Sequence, residues 1–298
     1  MMILTETQKH PIEVRDEKVH TGWLEQAALE LFIRRFDQIH PFTGGNKLFK
    51  LNGWLALRAP HQCLVSFGGA WSNHLLALAA AGHQLGIPTA AIIRGEAVKP
   101  FNPVLQKLES LGMQLHFVSR TAYRIKQQDH HIAALISNMG DVLVIPEGGA
   151  GEPGIMGAME MVSQTEQYDW VVLPGGTGTT AAGVATRLQG SKTKVLVFQV
   201  LKGEAILHKE VQRTSGIDLH QLNHLFISED FHFGGYARVN EALSVFAAEW
   251  AAETGIFLDY VYGLKAMAGL KKTAGCGFFK PGTRLLYLHT GGYSEINS

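Results

Sequence analysis

Short, continuously apolar runs alternate along this chain with longer stretches in which apolar residues recur at helical spacing. The rhythm is regular from residue 63 onward. Cys63 to Phe67 reads as a strand ending in Gly68-Gly69, and Asn73 to Gly86 as an alanine- and leucine-rich helix. Thr89 to Ile93 predicts a strand, Asn102 to Gly112 a helix, Gln114 to Val118 a strand and Ala122 to Asn138 a helix. Val142 to Ile145 is the next strand, closing on Pro146-Glu147-Gly148-Gly149. The second half repeats the pattern, with a helix over 154–167, a strand over 170–173, a helix over 179–188, a strand over 194–200 and a helix over 204–214. The aromatic region 224–238 carries no clear period. Helices over 239–254 and 264–274 follow, then a last strand, Arg284 to Leu288, ending in His289-Thr290-Gly291-Gly292. Ahead of the rhythm, residues 1–22 read as an irregular lead-in and Leu29 to Arg34 as a strand. Asn46 to Leu57 is a helix by the spacing of Leu48, Leu51, Trp54 and Leu55, and Ala59-Pro60 stops it.

Strands buried on both faces are apolar throughout, whereas half-exposed strands alternate. The alternation with helices therefore predicts an α/β protein with parallel sheets covered on both sides. Nearly every strand ends in glycine or a polar residue, at the edge where open α/β sheets bind ligands. Glycine supplies 33 of 298 residues, about 11% against an ordinary 7% or so. The excess sits largely at strand ends, where backbone can approach a ligand closely. No Pro/Ser-rich linker appears. Two αβ blocks that switch near Gly149 to Gly154 predict two domains with a cleft, and Lys47 lies at the first crossing.

Composition narrows the function classes. Hydrophobic residues make up 46% and charged residues 17% of the chain, the latter below the roughly 25% of ordinary soluble domains. Much of the chain is thus expected to be buried between layers or against another subunit. Basic and acidic residues balance at 26 each, which speaks against a nucleic-acid or polybasic membrane surface. Met1 to His20 has no apolar signal core, and no apolar run reaches membrane-spanning length. Cys63 and Cys276 lie far apart and neither sits in a CxxC, so a reduced, cytoplasmic setting is expected and no metal site.

Three stretches bear chemistry. In Thr43-Gly44-Gly45-Asn46-Lys47 two glycines and an asparagine deliver one lysine just ahead of an apolar helical run. Such a lysine suits covalent chemistry with a carbonyl, as in a Schiff base to pyridoxal phosphate; it also reads as a solvated lysine at a helix start. Lys50, one turn on, is expected to point elsewhere. Gly175-Gly176-Thr177-Gly178-Thr179-Thr180 follows a strand and opens a helix. Backbone N–H groups, the helix dipole and the threonine hydroxyls make it an anion cradle, or else a tight structural turn. It lacks the Gly-Lys-Ser/Thr of a P-loop and the spacing of a dinucleotide fingerprint. In Gly68-Gly69-Ala70-Trp71-Ser72-Asn73-His74, Ser72 or Asn73 is either a helix N-cap or a ligand contact.

These stretches, with Lys50-Leu51 and the terminal His289-Thr290-Gly291-Gly292, resemble the 1-aminocyclopropane-1-carboxylate deaminase / D-cysteine desulfhydrase family of fold type II (tryptophan synthase β-like) pyridoxal-phosphate enzymes. The matches fall in order from about Arg34 to Gly292. The resemblance implies two open parallel-sheet αβα domains with the cofactor in the cleft: 1–51 plus 153–298 as the larger, 52–152 as the smaller. It implies that Lys47 holds pyridoxal 5′-phosphate, that Asn73 hydrogen-bonds the ring 3′-oxygen, that Gly176, Thr177, Gly178, Thr179 and Thr180 hold the phosphate, and that Thr290 lies near the pyridine nitrogen. Ser72 then lies beside the substrate carboxylate and takes part in proton movement. Leu258-Asp259-Tyr260-Val261-Tyr262-Gly263-Leu264-Lys265-Ala266 resembles the family's Leu-Asp-Pro-Val-Tyr-(Glu/Thr)-Gly-Lys-Ala, which makes Tyr262 the active-site tyrosine; Tyr236 is a weaker substrate-side candidate. A homodimer is also implied.

The departures bear on substrate. Position 263 is Gly where the deaminases carry Glu and the desulfhydrases Thr, and Trp71 stands where a polar residue is usual. The expected reaction is deamination of a small amino acid with release of ammonia and a 2-oxo acid. Lys47 serves as base, and β-elimination is preferred to ring opening. A non-catalytic or regulatory pyridoxal-phosphate-binding protein is the alternative.

Overall fold

The computed structural model describes residues 14–39, 44–216, 221–235 and 238–292. Among these, ten strands form two sheets. The larger takes β1 (Asp16–Val19), β2 (Glu30–Arg34), β7 (Trp170–Gly175), β8 (Lys194–Gln199), β9 (Leu225–Ser228) and β10 (Arg284–Leu288), in the order β1-β2-β10-β7-β8-β9. The smaller takes β3 (Cys63–Gly69), β4 (Thr89–Arg94), β5 (Gln114–Val118) and β6 (Val142–Ile145), in the order β5-β4-β3-β6. Every pair is parallel except β1 against β2. The chain thus starts in the larger sheet, builds the smaller one without interruption, and returns. Both crossings bring glycine-rich segments to the same place.

The helices are α1 (Gly22–Gln26), α2 (Asn46–Leu55), α3 (Asn73–Leu85), α4 (Pro103–Ser110), α5 (Arg120–Arg124), α6 (His130–Ser137), α7 (Glu152–Met159), α8 (Thr179–Arg187), α9 (Ile206–Ser215), α10 (Glu241–Thr254) and α11 (Gly263–Gly275). Four expectations need correction. The lead-in is not irregular throughout, because Asp16–Val19 pairs with β2 as an antiparallel edge strand. The single helix expected over 122–138 is two. Ser119 caps α5 by accepting from Ala122 N, and Asp129 caps α6 by accepting from His131 N and Ile132 N. A cap inside an apolar run restarts the helix rather than continuing it. The helix expected over 154–167 ends at Met159, and Gln164 has φ 55°, outside helical space. The unread aromatic region contains β9, which pairs with β8 at the sheet edge.

One hydrophobic cluster joins the two sheets. Leu48 and Leu51 of α2 pack with Leu75 of α3, Ile155 of α7, Val171 and Leu173 of β7, and Leu286 and Leu288 of β10. A second cluster fills the far side of the larger sheet around Trp250, Phe198 and Tyr287, and a third lies on the smaller sheet around Phe67, Ile92 and Tyr123. No helix among the described residues is long and apolar enough to cross a membrane.

Helices α2 and α7 pack backbone to backbone. A Cβ on Gly53 would stand 1.9 Å from Pro153 O, and one on Gly157 would stand 2.0 Å from Phe49 O. Alanine in a helix gains about 1 kcal/mol over glycine in propensity. Overpacking of this kind costs about 1–3 kcal/mol or more, and here no flexible side chain can yield. Gly157→Ala is therefore expected to lower the unfolding temperature by several degrees. An unchanged or raised Tm would show that the two helices are not held this closely.

Candidate active site

Lys47 sits on the first turn of α2, and backbone contacts fix where that turn begins. Gly45, at φ 80°, donates its N–H to Phe36 O (2.8 Å), and Asn46 N donates to Thr290 O (3.1 Å). A Cβ on Gly45 would lie 2.0 Å from Thr290 O, so only glycine fits. The start of α2 is thereby seated on the carboxyl end of β10. Thr43 lies outside the described residues.

The Lys47 ammonium donates to Asn46 Oδ1 (2.7 Å), and the Asn46 amide donates to Thr180 Oγ1 (2.9 Å). This chain of bonds ties the lysine to the first turn of α8. Burial lowers the Lys47 pKa to about 8, while the Asp259 carboxylate acts the other way. Burial disfavours the ammonium form, and a nearby anion restores part of it. At pH 7 about a tenth of such an amine is unprotonated, roughly a hundredfold or more above a solvated lysine.

Lys50 does not point away. It is buried, its ammonium donates to Gly148 O, and its pKa is driven down by burial and by the charge of Lys47. Next to it is a buried imidazole. Ser66 Oγ spends its one proton on Ile145 O (2.7 Å), so it accepts from His74 Nε2 (2.8 Å). His74 is thus assigned as neutral with its proton on Nε2, which leaves Nδ1 as a buried lone pair without a partner. Burial and then the charges of Lys50 and Lys47 hold it in that form.

β7 delivers the glycine/threonine loop to the same region. Gly178 turns the chain at φ 77°, and α8 begins at Thr179. The first N–H groups of a helix lack intrahelical acceptors and carry the positive end of its dipole. Thr179 Oγ1 is buried without a hydrogen-bond partner. Gly148 faces Thr177, at 3.5 Å for a Cβ. Gly176 faces Tyr262, whose Cε1 would lie 2.8 Å from a Cβ there. The loop is therefore walled by the 146–149 turn on one side and a tyrosine ring on the other.

At the end of β3, Ser72 is the N-cap of α3 and accepts from Leu75 N (3.2 Å). Its hydroxyl keeps a proton to donate. Asn73 is the first residue of α3, and its amide makes no hydrogen bond to a described residue. Trp71 projects 52% exposed from this turn. Tyr236 lies outside the described residues.

The sequence reading missed Asp259. Its Oδ1 accepts from Val261 N (3.0 Å) and Tyr262 N (2.7 Å), and its Oδ2 from Gly263 N (2.8 Å). These bonds set the start of α11 and the position of Tyr262. A Cβ on Gly263 would crowd Oδ2 at 2.9 Å, and one on Gly292 would lie 2.6 Å from the Asp259 Cβ. Asp259 is thus wedged between the tyrosine segment and the strand end that carries Thr290. Burial raises its pKa, and the backbone donors and His289 oppose that rise. His289 donates from Nε2 to Phe257 O (2.7 Å) and accepts from Gly291 N at Nδ1 (3.3 Å). This carboxylate, three residues before Tyr262, lies in the segment that resembles the family's, where only the tyrosine carried an expected role.

These residues fit pyridoxal phosphate. A desolvated amine faces a helix N-terminus that bears an orphaned threonine hydroxyl, with glycine backbones packed where side chains would intrude. No group of three or more His, Cys, Asp or Glu among the described residues is arranged to hold a metal.

The Lys47 amine in protein stripped of cofactor should titrate near pH 8. Its acylation by a small amine-directed reagent, followed on the Lys47 peptide by mass spectrometry, should rise with pH through a midpoint near 8. Asp259 raises this pKa, so Asp259→Asn should move the midpoint to lower pH. A midpoint near 10, or one unmoved in the variant, would contradict the electrostatic account.

Comparison with known proteins agrees with this geometry. Residues 23–291 match the family model described as "Pyridoxal-phosphate dependent enzyme". A putative 1-aminocyclopropane-1-carboxylate deaminase of Pyrococcus horikoshii is 27% identical, covering 89% of this chain and 85% of the relative. A D-cysteine desulfhydrase of Klebsiella pneumoniae is 28% identical over 88% and 87% of the two chains. A putative 1-aminocyclopropane-1-carboxylate deaminase of Thermotoga maritima is 30% identical over 90% of each. Among solved structures, a deaminase homologue superposes at a TM-score of 0.79 with 22% identity, covering 98% of this chain and 95% of the other. Threonine deaminase isoform 2 of Solanum lycopersicum superposes at 0.68 with 15% identity, covering 99% and 87%. The chain belongs to the pyridoxal-phosphate-dependent enzymes, in the fold type II branch of the 1-aminocyclopropane-1-carboxylate deaminases and D-cysteine desulfhydrases, and its cofactor is pyridoxal 5′-phosphate.

Proposed function

We propose that this enzyme deaminates a small amino acid by β-elimination, as a D-cysteine desulfhydrase does, in preference to opening a cyclopropane ring. The observation that carries the preference is the glycine at 263. No side chain extends from this position, and a Cβ would already crowd the Asp259 carboxylate. The ring nitrogen then has the neutral Thr290 as its neighbour in place of an added acid, which suits a reaction in which charge need not pass fully into the ring.

Lys47 would hold the cofactor covalently, the loop from Gly176 to Thr180 its phosphate, Asn73 its ring oxygen, and Thr290 would lie by its ring nitrogen. When bound, pyridoxal phosphate supplies the electron sink that labilises bonds at Cα and Cβ of an amino acid. The chain supplies the rest. The Lys47 amine, with its pKa near 8, takes the Cα proton as base, because a base works best when its pKa lies close to the working pH. The N-terminus of α3 and the Ser72 hydroxyl hold the substrate carboxylate. Tyr262, fixed by Asp259 through its own N–H, presents its phenol to the departing group. For D-cysteine the Cα–H and Cβ–S bonds break, hydrosulfide leaves, and the aminoacrylate released hydrolyses to pyruvate and ammonia.

Ammonia and 2-oxo-acid release should be measured over D-cysteine, the cyclopropane amino acid, and D- and L-serine. Turnover of D-cysteine with none of the cyclopropane substrate is expected, and the reverse pattern would overturn the preference. Tyr262→Phe keeps the ring against Gly176 and removes the phenol. It should cut kcat by about 10²-fold or more while leaving cofactor affinity unchanged. Equal loss of both would make Tyr262 structural.

A further inference from the structure

We propose that His74 is a positioning residue for the cofactor phosphate: its unprotonated Nδ1 accepts a hydrogen bond from the Lys50 ammonium and so aims that cation at the loop from Gly176 to Thr180. The proposal rests on the reading of that loop as the phosphate cradle.

The direction of each bond follows from the one before it. Ser66 Oγ gives its one proton to Ile145 O (2.7 Å) and so accepts from His74 Nε2 (2.8 Å). A neutral imidazole protonated at Nε2 carries a lone pair at Nδ1. His74 is 3% exposed, and its Nδ1 is buried with no hydrogen-bond partner among the described residues. An acceptor buried in this way is costly to leave unpaired, and such groups are rare in folded proteins. Nδ1 therefore needs a donor and has no proton of its own to give.

The donor at hand is the buried Lys50. A Cβ on Gly149 would stand 3.3 Å from Lys50 Cβ, 3.6 Å from His74 Cε1 and 3.9 Å from His74 Nδ1, so the lysine stem and the imidazole straddle one glycine. The neighbouring donors are already engaged. The Trp54 indole N–H goes to Gly149 O (3.4 Å), and Lys47 is committed to Asn46 Oδ1 (2.7 Å) and to the cofactor. An ammonium has three protons to donate. Gly148 O takes one. His74 Nδ1 takes the second, which leaves the third for the loop.

The loop is within reach of the same turn. Gly148 faces Thr177. A Cβ on Gly154 would overlap Gly149 O at 1.9 Å and lie 3.3 Å from Thr179 Cγ2, so the turn also touches Thr179, whose Oγ1 is likewise buried without a partner. Burial and then the charge of Lys47 disfavour the Lys50 ammonium, and a phosphate anion beside it offsets both. An ammonium held by three acceptors has no lone pair to offer a carbonyl, which leaves that chemistry to Lys47.

The test compares pyridoxal 5′-phosphate with pyridoxal, each titrated by absorbance into the full chain stripped of cofactor. His74→Leu should weaken pyridoxal phosphate about tenfold, the scale of one hydrogen bond to a charged group, and leave pyridoxal unchanged. His74→Gln keeps a donor for Ser66 and an acceptor for Lys50, and should recover most of that loss. Lys50→Met should also weaken pyridoxal phosphate selectively, and adding His74→Leu to it should cost nothing further. In the wild-type holoenzyme, nitrogen NMR should show a neutral His74 with its proton on Nε2 and with Nδ1 in a hydrogen bond that Lys50→Met abolishes. Equal losses for the two ligands in His74→Leu, additive losses in the double variant, or an imidazolium or Nδ1–H form in the spectra would overturn the proposal. Thr179→Val separates it from the reading beneath it. A selective loss of pyridoxal phosphate there, with none in His74→Leu, would keep the cradle and reject the role of His74. No selective loss in Thr179→Val would reject the cradle, and the proposal with it.

Discussion

A backbone contact with no room for a side chain decides where the chemistry of this protein can happen. Gly45 lies so close to Thr290 that a Cβ would overlap its carbonyl oxygen, and Asn46 donates to that same oxygen. The two segments are far apart in sequence, one before the smaller sheet is built and one at the end of β10. Their contact places Lys47 at the carboxyl edge of the larger sheet. Asn46 then bonds to Thr180, which brings the start of α8 to the lysine. The packing of α2 on α7 through Gly53 and Gly157 holds the assembly from behind.

Electrostatics follows from that placement. Two lysines one helical turn apart are both buried at their ammonium ends, which lowers both pKa values, and the charge of Lys47 lowers that of Lys50 further. A neutral His74 beside them adds none. The main counterweight is Asp259, whose own charge is stabilised by three backbone N–H groups. The result is one lysine with a pKa near 8 beside a helix N-terminus. A partly neutral amine and a set of free N–H donors suit a phosphorylated, carbonyl-bearing cofactor.

Much of this was legible in the sequence. Continuous apolar strands that alternate with helices gave parallel sheets, and the glycine-rich strand ends gave their ligand-binding edge. Lys47, Ser72, Asn73 and the threonine loop stood out because each sits at a turn with a local pattern, whereas Tyr262 and Thr290 came only from the resemblance to the family. What escaped notice depends on contacts between distant segments. β1 is too short and too charged to read as a strand, and it exists because β2 offers an edge. Asp129 looked like one more polar residue in a helix until it proved to be a cap. Lys50 was expected to point elsewhere, and nothing in its neighbourhood in sequence announces Gly148 O. Asp259 was given no role in the segment that resembles the family's, although its position between Gly263 and Gly292 makes it the acid that, among the described residues, raises the Lys47 pKa.

The account stands on Lys47 rather than Lys50 as the residue that carries pyridoxal phosphate. Borohydride treatment of the holoenzyme makes the link between cofactor and lysine irreversible, and the labelled peptide identifies the residue. Purified protein should be yellow, and the label should fall on Lys47 alone. A label on Lys50, or none on either lysine, would contradict the account.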